Sequence, residues 1–440
     1  MLDKKLLSLT LLTLVLGLGL VFSGTFVAFG QEDKVTFATS FGGNELEIFK
    51  ELMAQFEDDT GIEVEVQPVS RNMKTALGSR VEAGNPPDMA NVPNPGLMNN
   101  FAMKDQLASL DWFKDTELAD KMAGGFIGSG SYKGTLYGVV PAASVKSLVW
   151  YNKKVFEEQG YEIPETVGEL LQLQNEMLTD GYTPWTVGLE SGAATGWPGT
   201  DWLEDIMLRL AGPEVYDMWV NHDIPWTDPR VAQAFRVFDL FVNEDTVMGG
   251  RKAALTINFG DSAQYILPTE GRDEPRALMH RQATFIQDFI QEAHPDAEVG
   301  EDYDTFIFPA FGKESPPILF AGDLFIAFND KPAVRELIKY FASADIQQTW
   351  VEKNPGRLAV NVDVPLSAYP NDTLRKAAEA LKEAETARFD GSDSMDSAVG
   401  SGSFWSGVVD YVQGEKSLND VLTTIENSAD DAYDSGEATD

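Results

Sequence analysis

KVTFATSFGGNELEIFKELMAQFEDDTGIEVEVQPV, residues 34–69, contains a strand, a helix and a second strand in quick succession. Lys34–Thr39 alternates apolar and polar side chains, and Phe41-Gly42-Gly43-Asn44 breaks the alternation. Leu46, Phe49, Leu52, Met53 and Phe56 then recur at helical spacing, and residues 62–69 return to a strand pattern. Residues 72–83 read as another helix and residues 87–92 (PDMANV) as a third strand, followed by the turn Pro93-Asn94-Pro95-Gly96. Strands alternating with helices predict an α/β domain with a parallel sheet. In open sheets of this kind ligands sit beyond the carboxyl ends of the strands. Both the FGGN and the PNPG turns fall at such ends.

Working outward, the chain has 440 residues, of which 43% are hydrophobic and 11% aromatic, a core-forming mixture large enough for two domains. Its start, MLDKK, precedes an apolar run over residues 6–22 and the small residues Ala28 and Gly30, the layout of a secretory signal over residues 1–30. Residues 6–30, almost without charge, could just span a bilayer as an uncleaved anchor. There is no cysteine, which excludes a disulfide framework and a lipid-modified cysteine anchor. The net charge of −37 becomes −38 once Asp3, Lys4 and Lys5 are removed. Such a chain repels nucleic acid and anionic membranes, whose recognition needs clustered Lys and Arg. An exported, free, monomeric protein is expected, and the acidity itself identifies no partner.

The middle of the chain is helix-rich, with Trp185, Trp197, Trp202, Trp219 and Trp226 crowded together. Strand character returns at residues 304–309 (DTFIFP) and over residues 318–328 (ILFAGDLFIAF), before a helix with the stripe Val334, Leu337, Ile338 and Phe341. Two β-α regions separated by a long insertion predict a lobe assembled from discontinuous pieces.

FDGSDSMDSAVGSGSFW, residues 389–405, admits three readings. A phosphate loop lacks its Lys-Ser/Thr. A calcium loop needs oxygen ligands on alternating positions, whereas Asp390, Asp393 and Asp396 are spaced by three. What remains is a flexible approach to a ligand platform, with Trp405 offering a flat face to the C–H side of a sugar. Tryptophans 112, 150 and 350 read as core, while Trp197 and Trp405, flanked by Gly, Ser or Pro, read as loop residues. His222, His280 and His294 show no paired metal spacing, and there is neither a cysteine nucleophile nor a Gly-x-Ser-x-Gly elbow. No metal, no cofactor and no catalysis are expected. A glycosidase needs two facing carboxylates, and with 70 Asp and Glu residues the presence of candidates decides nothing.

FGGNELEIFKELMAQFEDDTGIEVEV, NPPDMANVPNPG, YGVVPAASVKSLVWYNKKVFEEQG, GTDWLEDIMLRLAG, YDTFIFPAFG and FAGDLFIAFND, in this order and spacing, resemble the extracellular solute-binding proteins of sugar ABC importers, the maltose-binding-protein-like family. PNPG, LMHRQATFI and the 389–405 segment resemble its alpha-glucoside-binding branch. The resemblance covers essentially the whole mature chain. It implies a type II periplasmic-binding-protein fold, with residues 31–141 plus 309–352 in one lobe, residues 142–308 plus 353–435 in the other, and an acidic tail at 436–440. The chain would cross the hinge near residues 141–147, 303–309 and 352–357. By segment, the resemblance implies ligand contacts from Phe41, Gly43, Asn44, Asn94, Lys146, Trp197, Asp201, His280, Gln282, Asp323, Arg357 and Trp405. It also implies a sugar ligand, permease subunits as partners and a periplasmic location. A secreted glycoside hydrolase or a surface carbohydrate-binding protein stays open as an alternative. Where many relatives carry a tryptophan on a second-lobe strand, this chain has Gln282-Ala283-Thr284-Phe285, so any stacking there falls to Phe285.

Overall fold

The computed structural model describes residues 34–69, 73–123, 125–354 and 356–437. The expected signal, residues 1–30, lies outside them, as does most of the expected acidic tail. Among the described residues no helix is long and apolar enough to cross a membrane.

The opening stretch folds as its periodicity predicts. Lys34–Thr39 pairs in parallel with Glu63–Pro68 and with Met89–Val92, and the helix Gly43–Thr60 crosses between the first two. Ile48, Phe49, Leu52, Met53 and Phe56 form its buried face. The antiparallel strands Leu324–Ala327 and Gly138–Val139 complete a five-stranded sheet. Phe37, Phe49, Phe325, Phe341 and Trp350 interlock across this first lobe with ring centroids 4.7–6.4 Å apart.

The second lobe is built on a three-stranded antiparallel sheet of Tyr303–Ile307, Leu148–Asn152 and Met279–Arg281. Trp185, Trp202, Trp219 and Trp226, all at most 2% exposed, lie in the core beside it. Four of the five crowded tryptophans are therefore core. Edge-to-face contacts tie them together, as between Trp185 and Trp202 at 5.1 Å and Trp219 and Trp226 at 5.0 Å.

Between the lobes lies a third sheet, in the order Leu358–Ala359, Ala142–Val145, Ile318–Ala321, Ala387–Phe389. These four strands, far apart in sequence, meet in this one sheet. The run 318–328, read from sequence as one strand, is two, Ile318–Ala321 in the hinge sheet and Leu324–Ala327 in the first-lobe sheet. The switch occurs at Gly322-Asp323. A Cβ on Gly322 would lie 2.6 Å from the Ala142 carbonyl oxygen, so only glycine lets the two hinge strands approach there.

Residues 389–405 depart from the expected flexible loop. After the hinge strand Ala387–Phe389 comes a helical turn Gly391–Ser394, then a π-helical stretch Val399–Phe404 that runs directly into the helix Trp405–Gln413. The small residues serve backbone packing: a Cβ on Gly400 would sit 1.9 Å from the Ser392 carbonyl oxygen. The acidic stretch from Glu426 is likewise helical, within Leu418–Glu437, anchored by buried Val421, Leu422, Ile425 and Ala429.

Candidate functional site

Lys146 follows the hinge strand Ala142–Val145, and its side chain is 8% exposed. It donates to Asp201 Oδ1 at 2.9 Å and makes a short contact with Asp390 Oδ2. Asp201 belongs to the helix Trp197–Ala211, which turns a row of acids, Asp201, Glu204 and Asp205, toward the hinge strands. Asp390, at the end of another hinge strand, accepts from Ser392 Oγ at 2.9 Å and from the Asp393 backbone at 2.8 Å. Glu204 accepts from the backbones of Gly391 and Ser392 at 2.7 and 3.1 Å, fixing the 390–394 turn onto the second lobe.

The proton balance of this cluster follows from its burial. Burial opposes charge on Lys146, yet Asp201 and Asp390 outweigh it and hold the ammonium well above its ordinary value. Burial would raise Asp390, but Lys146 overrides it and keeps that carboxylate low. Asp201, buried and close to Asp390, is pushed up to about 7 although Lys146 pulls the other way. Glu204 and Asp393 are raised further, by burial first and then by neighbouring carboxylates. The arrangement is an ionised Lys146–Asp390 pair surrounded by carboxyls that retain protons. Carboxylate oxygens of Asp201, Glu204 and Asp390 lie within 4.8 Å of one another. Lys146 already supplies the cation there, so the cluster has no need of a metal.

Beside it, Trp197 stacks under the Lys146 ammonium at 5.3 Å. Trp197 also meets Phe259 at 5.2 Å and Phe285 at 6.2 Å, and Phe289, 38% exposed, extends the aromatic group. Phe285 lines a cavity of about 300 Å³ together with Asn44, Glu45, Ser144, Asp288, Asn354, Gly356 and Arg357. Asn44 and Glu45 open the first helix of the first lobe. Arg357 donates to Glu45 Oε1 at 2.7 Å and to Asp323 Oδ2 at 3.1 Å, and Asp323 accepts from Asn91 at 3.2 Å. Polar groups from the hinge and both lobes thus converge on a space with one aromatic side.

Asn44, Arg357 and Asp323, implied by the family resemblance, come together here, and Lys146, Trp197 and Asp201 lie together beside them. Gly43, at φ +54°, starts the helix that carries Asn44. Asn94 caps the helix Pro95–Ala102 and reaches across to Asp393 Oδ1 at 3.4 Å. Trp405 is half-buried at the first turn of its helix, and its Nε1 donates to Ser392 Oγ at 3.4 Å. The other three are inside. Phe41, 6% exposed, packs edge-on against Phe49 and Trp350. His280, 2% exposed and lowered to about 4 chiefly by burial, is a neutral imidazole facing the Thr186 carbonyl oxygen at 2.9 Å. Gln282, 1% exposed, turns its Oε1 back to the Ala283 backbone.

The sequence reading missed a second buried network. Asp205 accepts from Ser147 Oγ at 2.7 Å and from Arg281 Nη2 at 2.7 Å, and contacts Arg209. Arg209 in turn donates to the carbonyl oxygens of Phe308, Pro309 and Pro317. The signal was present in TDWLEDIMLR, where Asp201, Glu204, Asp205 and Arg209 recur every three or four residues on one helical face. Their position among apolar residues marks them as buried and partnered.

A family model described as bacterial extracellular solute-binding protein matches residues 42–348. Among curated proteins, the osmoprotective compounds-binding protein GgtB of Synechocystis sp. is 41% identical over 404 residues, covering 91% of this chain and 93% of its own. The alpha-glucosides-binding periplasmic protein AglE of Rhizobium meliloti is 38% identical over 419 residues, covering 91% and 88%. Among solved structures, the bacterial solute receptor AcbH superposes with a TM-score of 0.77 at 19% identity, over 91% of this chain and all of that one. A chitin oligosaccharide binding protein gives 0.73 at 18%, over 91% and 99%. At those identities the structures speak to the two-lobed fold alone.

Proposed function

Because the chain belongs to the bacterial extracellular solute-binding protein family, we propose that it is the periplasmic, monomeric capture subunit of a sugar ABC importer. It takes up a small alpha-glucoside and presents it to the membrane permease, which a separate ATPase drives. The observation that carries the reading is the cavity of about 300 Å³ at the hinge, where hydrogen-bonding groups from both lobes surround one aromatic wall. That volume is at the low end of small-molecule sites, about 300–1,000 Å³. Sugar hydroxyls would pair with Asn44, Glu45, Asp323 and Arg357, and a C–H face would lie on Phe285 or Trp197. The relatives named for osmoprotective compounds and for alpha-glucosides support this ligand class.

The lobe division, 31–141 plus 309–352 against 142–308 plus 353–435, is part of the same proposal. Rotation about the hinge sheet would close the cleft. Sugar favours the closed form because only there do both lobes touch it, and closure is the signal the permease reads. The protein acts as a carrier and not a hydrolase, a reading supported by relatives named as binding proteins.

A thermal-shift screen across trehalose, sucrose, maltose, glucosylglycerol and longer maltodextrins tests this, since a ligand bound only by the folded state raises the midpoint. A rise with at least one short glucoside is expected. No rise with any, or hydrolysis of a nitrophenyl glucoside, would overturn it.

A further inference from the structure

We infer that the second lobe carries a divalent-cation site formed by His222, Glu426 and Asp430, suited to an ion of the zinc class. The three side chains are brought together by two unrelated elements. Glu426 and Asp430 are four residues apart on the helix Leu418–Glu437 and so share a face. His222 lies just after the helix Pro213–Val220 with φ +60°, an uncommon left-handed backbone that aims its ring at the two carboxylates.

The distances are long for direct hydrogen bonds and suit shared ligation of one ion. His222 Nε2 is 3.5 Å from Glu426 Oε2 and 3.8 Å from Asp430 Oδ1. Both exceed the N–H···O range of about 2.7–3.2 Å. They fit two ligands of one ion instead, because bonds of about 2.0–2.2 Å meeting near the tetrahedral angle place ligand atoms about 3.4 Å apart. Nε2 is buried and has no hydrogen-bond partner. His280 also has an unpartnered Nε2, but its Nδ1 faces a carbonyl oxygen at 2.9 Å and, among the described residues, no carboxylate pair is gathered around it, while His294 turns its Nε2 to a carbonyl oxygen at 2.9 Å.

The surroundings hold the three groups in place, as an outer shell does around a metal. The Trp226 backbone N–H donates to Glu426 Oε2 at 2.5 Å. The Tyr433 ring lies on the imidazole, with centroids 5.2 Å apart and an interplanar angle of 31°. Its hydroxyl, donating to the Val220 carbonyl at 3.0 Å, pins it there. One imidazole with two carboxylates suits zinc and its neighbours better than calcium or magnesium, which prefer all-oxygen sets. Asp430 is 55% exposed, so water can complete the coordination. None of the three residues lines the hinge cavity. A bound ion would therefore clamp the C-terminal helix to the turn at 221–226 without entering the sugar site.

The test is calorimetric titration of the tag-free, EDTA-dialysed protein with zinc chloride at pH 7.5, with melting curves alongside. One saturable site is expected. Asp430→Asn, which alters an exposed group, and His222→Asn, which tolerates the left-handed backbone, should each weaken zinc at least tenfold. Zinc should raise the melting midpoint of the parent and not of the variants, while sugar affinity is the same with and without EDTA. No saturable zinc binding, or equal binding by Asp430→Asn, would overturn the proposal. So would a midpoint that ignores zinc and rises only as His222 is protonated, the mark of an ion pair alone. If His222→Asn fails to fold, Asp430→Asn decides.

Discussion

Replacing Asp201 by Asn should flatten the dependence of stability on pH. Asp201 stands at about 7 in the folded protein against 3.8 for an ordinary aspartate. Between those values the native state holds a proton that the unfolded chain has released, so stability falls as pH rises, by up to about 1.4 kcal/mol per unit. Above about 7 the loss is complete, and the shift of about 3 units caps it at about 4 kcal/mol. Asn copies the protonated acid in shape and cannot ionise, and Lys146 keeps its ionised partner Asp390. The variant should therefore match the parent below about pH 4, exceed it by about 1–2 kcal/mol at pH 5 and by about 3–4 kcal/mol at pH 8. Glu204 and Asp393, raised partly by Asp201, should relax in the same direction. Urea unfolding of both proteins at pH 5, 6, 7 and 8 measures this. Equal slopes, or a variant less stable by one constant amount at every pH, would refute the reasoning.

Trp405→Ala should weaken sugar binding by about 1–3 kcal/mol, the scale of a desolvated aromatic contact, with the fold retained. A loss of about 3–5 kcal/mol of stability at near-normal affinity, as for a core residue, would remove Trp405 from the site. Gly400→Ala should destabilise by more than about 2 kcal/mol, because its Cβ would meet the Ser392 carbonyl at 1.9 Å; a neutral outcome in chemical denaturation would contradict the packing described for residues 389–405. In small-angle scattering the radius of gyration should fall on saturation with sugar, and an unchanged radius would count against rotation about the hinge sheet.

The first-lobe core was legible because residues 34–69 and 87–92 combine local periodicity with clear breaks, and near neighbours in sequence form that part of its sheet. The hinge sheet was harder. Residues 142–145, 318–321, 358–359 and 387–389 meet only in three dimensions, and nothing local distinguishes Ile318–Ala321 from Leu324–Ala327 except the glycine between them. Residues 389–405 misled because serine and glycine signal flexibility in isolation, whereas here they allow helices and turns to touch backbone to backbone. For the candidate site, the family resemblance pointed by segment to Lys146, Asp201, Asp323 and Arg357, but not to who pairs with whom. His280 and Gln282 carry suitable groups, yet both are buried, His280 against the Thr186 carbonyl and Gln282 against the Ala283 backbone. His222 and Glu426 are far apart in sequence, beyond the reach of any spacing rule.

Titration calorimetry of the tag-free protein with the short glucoside that raises its melting midpoint most, repeated with Arg357→Ala, tests the central claim most directly. Arg357, in the cavity wall with Glu45, joins that residue to Asp323 behind it. The account predicts one sugar per chain and at least a tenfold loss of affinity in a variant that still folds. Parent-like affinity in that variant, or no heat with any glucoside, would contradict a sugar held at the hinge.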